Sequence, residues 1–392
     1  MSYQWPLDAT ELFGERYPQM INTGLPVTDV DAVRAAITDM WPDAPGGWVY
    51  EWSKLGRSYA KAGSHQRAAL AYGWAKFPTL AGEPQRVALA NQLEQYLLAA
   101  PDFGVDFRRE VLELPYQGGT TPVPVHLFAP FDLPADAPVV IASGGVDSWK
   151  MDMHLIFVGT AARLGVRVLA FDIPGTGESS VPMTAAGGAE IVHGLSVHAR
   201  SIGNGVVAHF GVSMGGYFSA RSGLADEVDA AVVLGGPVEA AFTGGPPRHF
   251  GMAGIVGNAM GFDRPPSLEE LSERRKRFSL RPLLDQDLNA PMLVINGAND
   301  VHVPQHDTLV FQGRRDTVVE LIPGTGHCAS SKLPQATATI AGWLEQTTAA
   351  GGRLPPPGRT GKPGESGIVS YSPKSRPGQA HPSRSDTAAP PP

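Results

Sequence analysis

Two periodicities divide the chain. Up to about residue 105, apolar positions recur at helical spacing. Val30, Val33, Ile37 and Met40 share one face behind Thr28 and Asp31, which stand at capping-box spacing. Trp48, Trp52, Leu55, Tyr59 and Ala62 keep the period to Gly63, and Ser64 opens another helix through Leu70, Trp74 and Phe77, closed by Pro78. Pro84 suits the first turn of a helix carrying Val87, Leu89, Leu93, Tyr96 and Leu97. The aromatic stripe is read as core packing rather than a ligand box, because buried aromatics dominate cores generally.

From Asp106 the period shortens. Arg108–Leu114 and Pro122–Ala129 alternate as two half-buried strands around a Gly118-Gly119 turn. Pro138–Ala142, Val166–Phe171, Val206–Phe210, Ala230–Leu234, Met292–Asn296 and Thr317–Ile322 are short β-rich runs separated mostly by helical stretches. This alternation predicts an α/β protein with an eight-stranded, mostly parallel sheet, an antiparallel start and helices on both faces. Ala329–Thr347 predicts a closing helix, with Ile340, Trp343 and Leu344 toward the sheet. The expected organisation is a helical, cap-forming region over 1–105, a catalytic domain over 106–348 and a tail over 349–392. The tail is rich in Pro, Gly and Ser, and such composition predicts disorder because it buries too little apolar surface to offset chain entropy.

Chemistry concentrates where strands end. Val206–Phe210 runs into Gly211-Val212-Ser213-Met214-Gly215, a G-x-S-x-G pentapeptide in the strand–turn–helix context that lifts a serine oxygen out of a sheet. Asp300 follows the Met292–Asn296 strand and His327 follows the Thr317–Ile322 strand. A serine hydroxyl needs a base within reach, and that base needs an acceptor that fixes its tautomer. Ser213, His327 and Asp300 fill these roles in the chain order Ser, Asp, His. Taken singly, Asp300 could cap a loop and His327 could be a satisfied surface residue; their joint placement argues otherwise. The turn Ser143-Gly144-Gly145-Val146-Asp147-Ser148 offers the second half of an oxyanion hole through an amide of Gly145 or Val146, with the Met214 amide as the first half. By contrast, Asp172–Ser179 holds a G-x-G without the third glycine of a dinucleotide fingerprint and is read as a structural turn.

Roughly 55 residues separate the Ala230–Leu234 strand from Met292, far beyond the usual connection of about 2 to 6. Ser267 and Glu270 predict a capping box within this stretch. Phe242, Phe250, Met252, Ile255, Val256, Met260 and Phe262 give it an apolar character, so a lid over about 237–290 is expected above Ser213. Arg274-Arg275-Lys276-Arg277 reads as a solvated helix face rather than an anion contact.

Composition narrows the rest. At 42% hydrophobic and 18% charged, the chain has an ordinary globular balance. Residues 351–392 carry six basic and two acidic residues, which leaves 25 basic against 36 acidic elsewhere, a balance that disfavours a nucleic-acid partner. The single cysteine, Cys328, excludes an internal disulfide framework, offers no metal-ligand spacing and is read as a small buried thiol. Neither a leader pattern in Met1–Met20 nor an apolar run of about 18 residues occurs, so a cytoplasmic protein with no membrane partner is expected. A small-molecule substrate is expected, with no metal and no organic cofactor, and a homodimer stays open.

Together, the helical N-terminal region, the Ser143–Ser148 turn, the Gly211–Gly216 elbow, Asn296-Gly297-Ala298-Asn299-Asp300 and Gly326-His327-Cys328 resemble the α/β-hydrolases related to dihydroxypseudooxynicotine hydrolase and the fermentation/respiration switch protein. The resemblance covers about residues 30–347. It implies an α/β-hydrolase fold whose site lies between the sheet and helices from the N-terminal region and the insertion. It also implies a serine hydrolase acting on an ester or on the carbon–carbon bond of an acyl ketone, in secondary metabolism. In the carbon–carbon bond hydrolase a further glutamate is implicated, and Glu239 is the matching position; Asp147 is a second additional candidate. Hydrolase-fold enzymes of spirotetronate biosynthesis, which eliminate acetate, also look similar, so a lyase acting on an acetylated polyketide is one alternative. A non-catalytic binding or regulatory protein is the other.

Overall fold

The chain folds around one mixed eight-stranded sheet. The computed structural model describes residues 2–245, 247 and 249–349; the proline-rich stretch predicted to be disordered lies outside them, apart from Ala349. Five helices come first: α1 Ala9–Asn22, α2 Val27–Ala36, α3 Trp48–Lys61, α4 His65–Ala75 and α5 Glu83–Ala99. The sheet strands are β1 Asp106–Tyr116, β2 Gly119–Ala129, β3 Val139–Ser143, β4 Arg167–Phe171, β5 Val207–Val212, β6 Ala230–Leu234, β7 Met292–Gly297 and β8 Thr317–Ile322. Between them lie α6 His154–Leu164, α7 Ala185–Ser201 and α8 Met214–Leu224. The β6–β7 connection holds α9 Ala240–Thr243, α10 Met252–Ala259, α11 Leu268–Lys276 and α12 Arg281–Leu284; α13 Gln305–Leu309 and α14 Leu333–Ala349 complete the chain.

The strand order is β1-β2-β4-β3-β5-β6-β7-β8. β2 pairs antiparallel with β1 and β4, and every other pair is parallel. All eight strands read from the sequence form. β3, β5, β6 and β7 are buried at every position, which explains their continuous apolar runs: helices cover both faces. One face packs with Ile191, Leu195 and Phe218, the other with Phe157, Ile340 and Leu344.

The helical region has its own aromatic core. Phe13 stacks on Trp52 at 5.8 Å, Trp48 meets Phe13 edge-on at 5.4 Å, and the Trp48 indole donates to the Trp74 carbonyl at 2.6 Å. Two expectations need correction here. No side chain caps α2, whose N-cap is Pro26, and the helix stops at Ala36, so Ile37 and Met40 lie beyond it. Thr28 sits inside the first turn, too late to cap it. On α5, Leu89 and Tyr96 are buried while Val87 and Leu97 are exposed, so its buried face is narrower than the apolar pattern suggested.

Insertion and N-terminal segment are sewn together. The Tyr3 N–H donates to Asn258 Oδ1 and Asn258 Nδ2 returns a bond to the Tyr3 carbonyl, both at 3.1 Å, across 255 residues of sequence. The predicted capping box forms between Ser267 and Glu270. Arg275, expected on a solvated face, is instead buried and donates to the carbonyls of Ala241 and Gly245. The α9 end is held by Asp307, whose carboxylate accepts from the amides of Val238, Glu239, Ala240 and Ala241. Its neighbour Phe242 packs on Tyr217 of α8 at 5.5 Å, which seats the insertion over the helix that follows Ser213.

A second fixture is ionic. Lys150 Nζ, fully buried, lies 2.5 Å from Asp172 and 2.7 Å from Glu178, and Glu178 also meets Arg109 at 2.6 Å. The turn containing Asp172 is therefore structural, and it anchors the loop after β3. Removing one partner of a buried pair strands the other charge. Lys150→Met is expected to lose about 3–5 kcal/mol in urea denaturation, and a loss under about 1 kcal/mol would show that water already screens the cluster.

Candidate active site

β5 delivers Ser213 at a turn too tight for side chains. Ser213 has φ 56° and ψ −123°, a positive φ uncommon outside glycine. A Cβ on Gly211 would lie 2.0 Å from the Gly215 carbonyl oxygen, and one on Gly215 would lie 2.4 Å from that of Gly144. Backbone therefore presses on backbone at both glycines, and the strain at Ser213 is held in place from two sides.

The structure brings Ser213, His327 and Asp300 into one hydrogen-bonded line. Ser213 Oγ lies 2.9 Å from His327 Nε2, and His327 Nδ1 lies 2.7 Å from Asp300 Oδ2. Asp300, whose side chain is fully buried, accepts three further bonds: from Asn296 Nδ2 at 2.8 Å, the His302 amide at 2.7 Å and the Val303 amide at 3.1 Å. Burial disfavours its charge, but His327, Asn296 and the His302 amide outweigh burial and hold the carboxyl below its ordinary pKa. An ionised Asp300 accepts from Nδ1–H, so the neutral ring turns a lone pair on Nε2 toward Ser213. For His327 itself burial works against the proton, whereas the adjoining Cys328 sulfur and Asp300 favour it and raise the pKa above its ordinary value.

Asn296 is a site residue that sequence reasoning missed. Its Nδ2 orients Asp300 while its Oδ1 accepts from the Cys328 amide at 3.0 Å, so one side chain at the end of β7 joins both loops. Cys328 is buried, with its Sγ 3.4 Å from the Leu234 carbonyl.

The Ser143–Ser148 turn lies beside the serine: a Cβ on Gly145 would stand 3.1 Å from Ser213 Oγ. The Gly145 amide is already occupied, donating to Ser148 O at 2.9 Å. Among the described residues the Val146 amide has no acceptor, and Met214 opens α8 where helix amides lack partners. Of the two amides offered by the sequence, Val146 is therefore the one the geometry leaves available. Trp149 fixes it from behind by donating its indole N–H to the Val146 carbonyl at 3.1 Å.

The other two candidates fall elsewhere. Asp147 pairs with Arg16 of α1 at 2.7 Å. Glu239 accepts from the Ser279 hydroxyl and, among the described residues, is not joined to the Ser–His–Asp line. Helix α1 is the larger surprise, since no sequence feature singled it out. Gln19 Nε2 donates to Ser148 Oγ at 3.2 Å, and Glu15 Oε1 lies 3.3 Å from His302 Nε2. A small cavity between α1, α4 and the Ser143–Ser148 turn is lined by Gln19, Thr23, Trp74, Lys76, Phe77 and Asp147. Among the described residues no cluster of three or more His, Cys, Asp or Glu could hold a metal ion, and no helix is long and apolar enough to cross a membrane.

The fold and this serine elbow define an α/β-hydrolase. Residues 40–349 match the FrsA-like family, described as Esterase FrsA-like. The chain belongs to that family. It is 26% identical over 221 residues to the Esterase FrsA of Photobacterium profundum, covering 51% of each, and 27% identical over 234 residues to the alpha/beta hydrolase pydG of Acremonium sp, covering 53% of this chain and 55% of that one. The match thus spans about half the length of these curated relatives. Among solved structures, AbyA5 wild type superposes with a TM-score of 0.74 at 20% identity over 86% of this chain and 94% of that one. The 2,6-dihydroxy-pseudo-oxynicotine hydrolase gives 0.70 at 21% identity over 86% and 96%. At these identities both likenesses speak for the fold.

A proton on His327 removes the lone pair that must take the serine proton, so reactivity disappears as pH falls through the His327 pKa. Fluorophosphonate labelling of Ser213 is expected to rise with pH through a midpoint above about 6.5, the ordinary histidine value. Asp300→Asn is expected to slow labelling by about 10³- to 10⁴-fold and move the midpoint down. An unshifted midpoint in that variant would remove Asp300 from its role.

Proposed function

We propose that this chain is a serine hydrolase acting on the carbonyl of an ester or acyl ketone in a medium-sized, partly apolar small molecule. The observation that carries this reading is the unbroken line from Asp300 through His327 to the strained Ser213. Ser213 Oγ adds to the carbonyl carbon as its proton passes to His327 Nε2, and the amides of Met214 and Val146 hold the oxyanion. Collapse of that intermediate breaks the bond to the leaving alkoxide or enolate, which takes the proton back from His327. Water, deprotonated by the same imidazole, then releases the acid and restores the serine. No metal or organic cofactor enters any step.

Substrate size is read from the insertion, whose Phe250 and His249 rings reach His302, the neighbour of His327, at 5.8 and 6.5 Å. Membership of the Esterase FrsA-like family supports ester cleavage. An apolar insertion at the edge of the site favours small molecules over polymers.

Intact-mass analysis after fluorophosphonate treatment is the direct test. One adduct on the wild type, lost in Ser213→Ala together with at least about 10³-fold of ester turnover, is expected. Hydrolysis in ¹⁸O-water should place the label in the released acid. Full turnover in a folded Ser213→Ala protein, with no label incorporated, would instead favour general-base elimination by His327.

A further inference from the structure

The stretch from Ser143 to Lys150 is fastened firmly at its two ends. At the first end, the carbonyls of Ser143 and Gly144 lie so close to Gly215 that a Cβ there would meet both. At the second, the Trp149 amide donates to Asp152 at 2.7 Å and the Lys150 amide to Asp172 at 2.8 Å. Val146, Asp147 and Ser148 lie between. Two bonds tie them to their own stretch: the Gly145 amide donates to the Ser148 carbonyl and the Trp149 indole to the Val146 carbonyl. Among the described residues, every hydrogen bond that reaches Val146, Asp147 or Ser148 from elsewhere in the chain comes from α1. Arg16 Nη2 donates to Asp147 Oδ2 at 2.7 Å, and Gln19 Nε2 donates to Ser148 Oγ at 3.2 Å.

The two donors on α1 are themselves joined. Arg16 Nη1 donates to Gln19 Oε1 at 3.4 Å, and Arg16 Nε lies 2.8 Å from Glu15 Oε2. Phe77, just beyond α4, presents its ring 5.3 Å from the guanidinium. The Arg16 and Asp147 side chains are only 13% and 8% exposed, so solvent screens the pair little. A guanidinium is planar and its donors form a rigid fork, so it fixes the angle of a carboxylate as well as its distance.

We propose that Arg16 and Gln19 are positioning residues for the oxyanion site: by holding Asp147 and Ser148 they set the direction of the Val146 amide relative to Ser213. This rests on the hydrolase reading above, in which the Val146 amide meets the developing charge. The amide alone touches the reacting oxygen, and α1 acts through the turn. A donor has to stand about 2.7–3.1 Å from the oxyanion, and a displacement near 1 Å costs about 10²-fold in rate. The N-terminal helices thereby complete the site they cover.

The test compares the rates at which a fluorophosphonate and its P=S counterpart label Ser213, followed by intact mass. In either reaction Ser213 Oγ bonds phosphorus, fluoride leaves and the serine proton passes to His327. The P=O oxygen occupies the oxyanion position, whereas sulfur accepts hydrogen bonds weakly. The wild-type ratio of P=O to P=S rates is expected to exceed that of hydroxide in solution by at least about tenfold. Arg16→Met is expected to slow P=O labelling by about 10- to 100-fold and to lower the ratio at least about fivefold. Gln19→Ala should move the ratio the same way by a smaller factor, and Arg16→Lys, which keeps the charge, should recover part of it. General damage slows both reagents alike and leaves the ratio where it was. An unchanged ratio in folded Arg16→Met overturns the proposal, and Gln19→Ala decides in the same way if Arg16→Met does not fold. A wild-type ratio equal to that of hydroxide overturns it too, while Ser213 labelling leaves the hydrolase reading standing. Absence of labelling by either reagent in folded wild type brings down the hydrolase reading itself.

Discussion

Everything at the site depends on three stretches of backbone touching where no side chain fits. The Gly211 and Gly215 positions leave less than 2.5 Å for any β-carbon before a carbonyl oxygen is met. That contact pins the turn after β5 to the first turn of α8 and to the loop after β3. It fixes the serine, the Met214 amide and the Val146 amide relative to one another without any flexible side chain between them. Rotamer freedom is thereby removed from the serine side of the site, and the histidine side is left to hydrogen bonds.

The histidine side is organised by charge. Asp300 draws four donors around one buried carboxylate, and Asn296 ties its loop to the peptide that follows His327. The α1 pairings, Glu15 with His302 and Arg16 with Asp147, then span from the Asp300 loop to the Ser143–Ser148 turn. Glu15, Arg16 and Asp147 alternate in sign along this path, so none of the three is left without a counter-ion in a region of low dielectric. Lys150 does the same work one layer deeper, beneath the loop that α1 covers.

The sheet was legible because burial on both faces demands short apolar, β-branched runs such as Val139–Ser143 and Met292–Gly297, and such runs recur along the chain with turns and helical stretches between. Ser213, Asp300 and His327 were legible for a related reason: each follows a strand end, so local pattern and chain order suffice to place them together. Glu15 and Arg16 were not. They sit in a helix that contains Pro18, and their meaning lies in contacts such as that of Arg16 with Asp147, 131 residues away. Arg275 misled for the opposite reason, since a basic run looks solvated until the carbonyls of Ala241 and Gly245 are seen to converge on one member of it. The choice between Gly145 and Val146 turned on a single turn hydrogen bond that no sequence pattern encodes.

The paired bonds between Tyr3 and Asn258 make the insertion a late arrival in the history of each molecule. Tyr3 leaves the ribosome 255 residues ahead of its partner, so six of the eight strands, β1 to β6, are made before Asn258 is. Its aromatic neighbour Trp5 meanwhile has Trp41 to rest against, at 4.9 Å, a contact available within the first helices. In the finished fold Trp5 stays on Trp41 while Tyr3 closes on Asn258, so one short segment joins the first part of the chain to be made with the insertion made long after it.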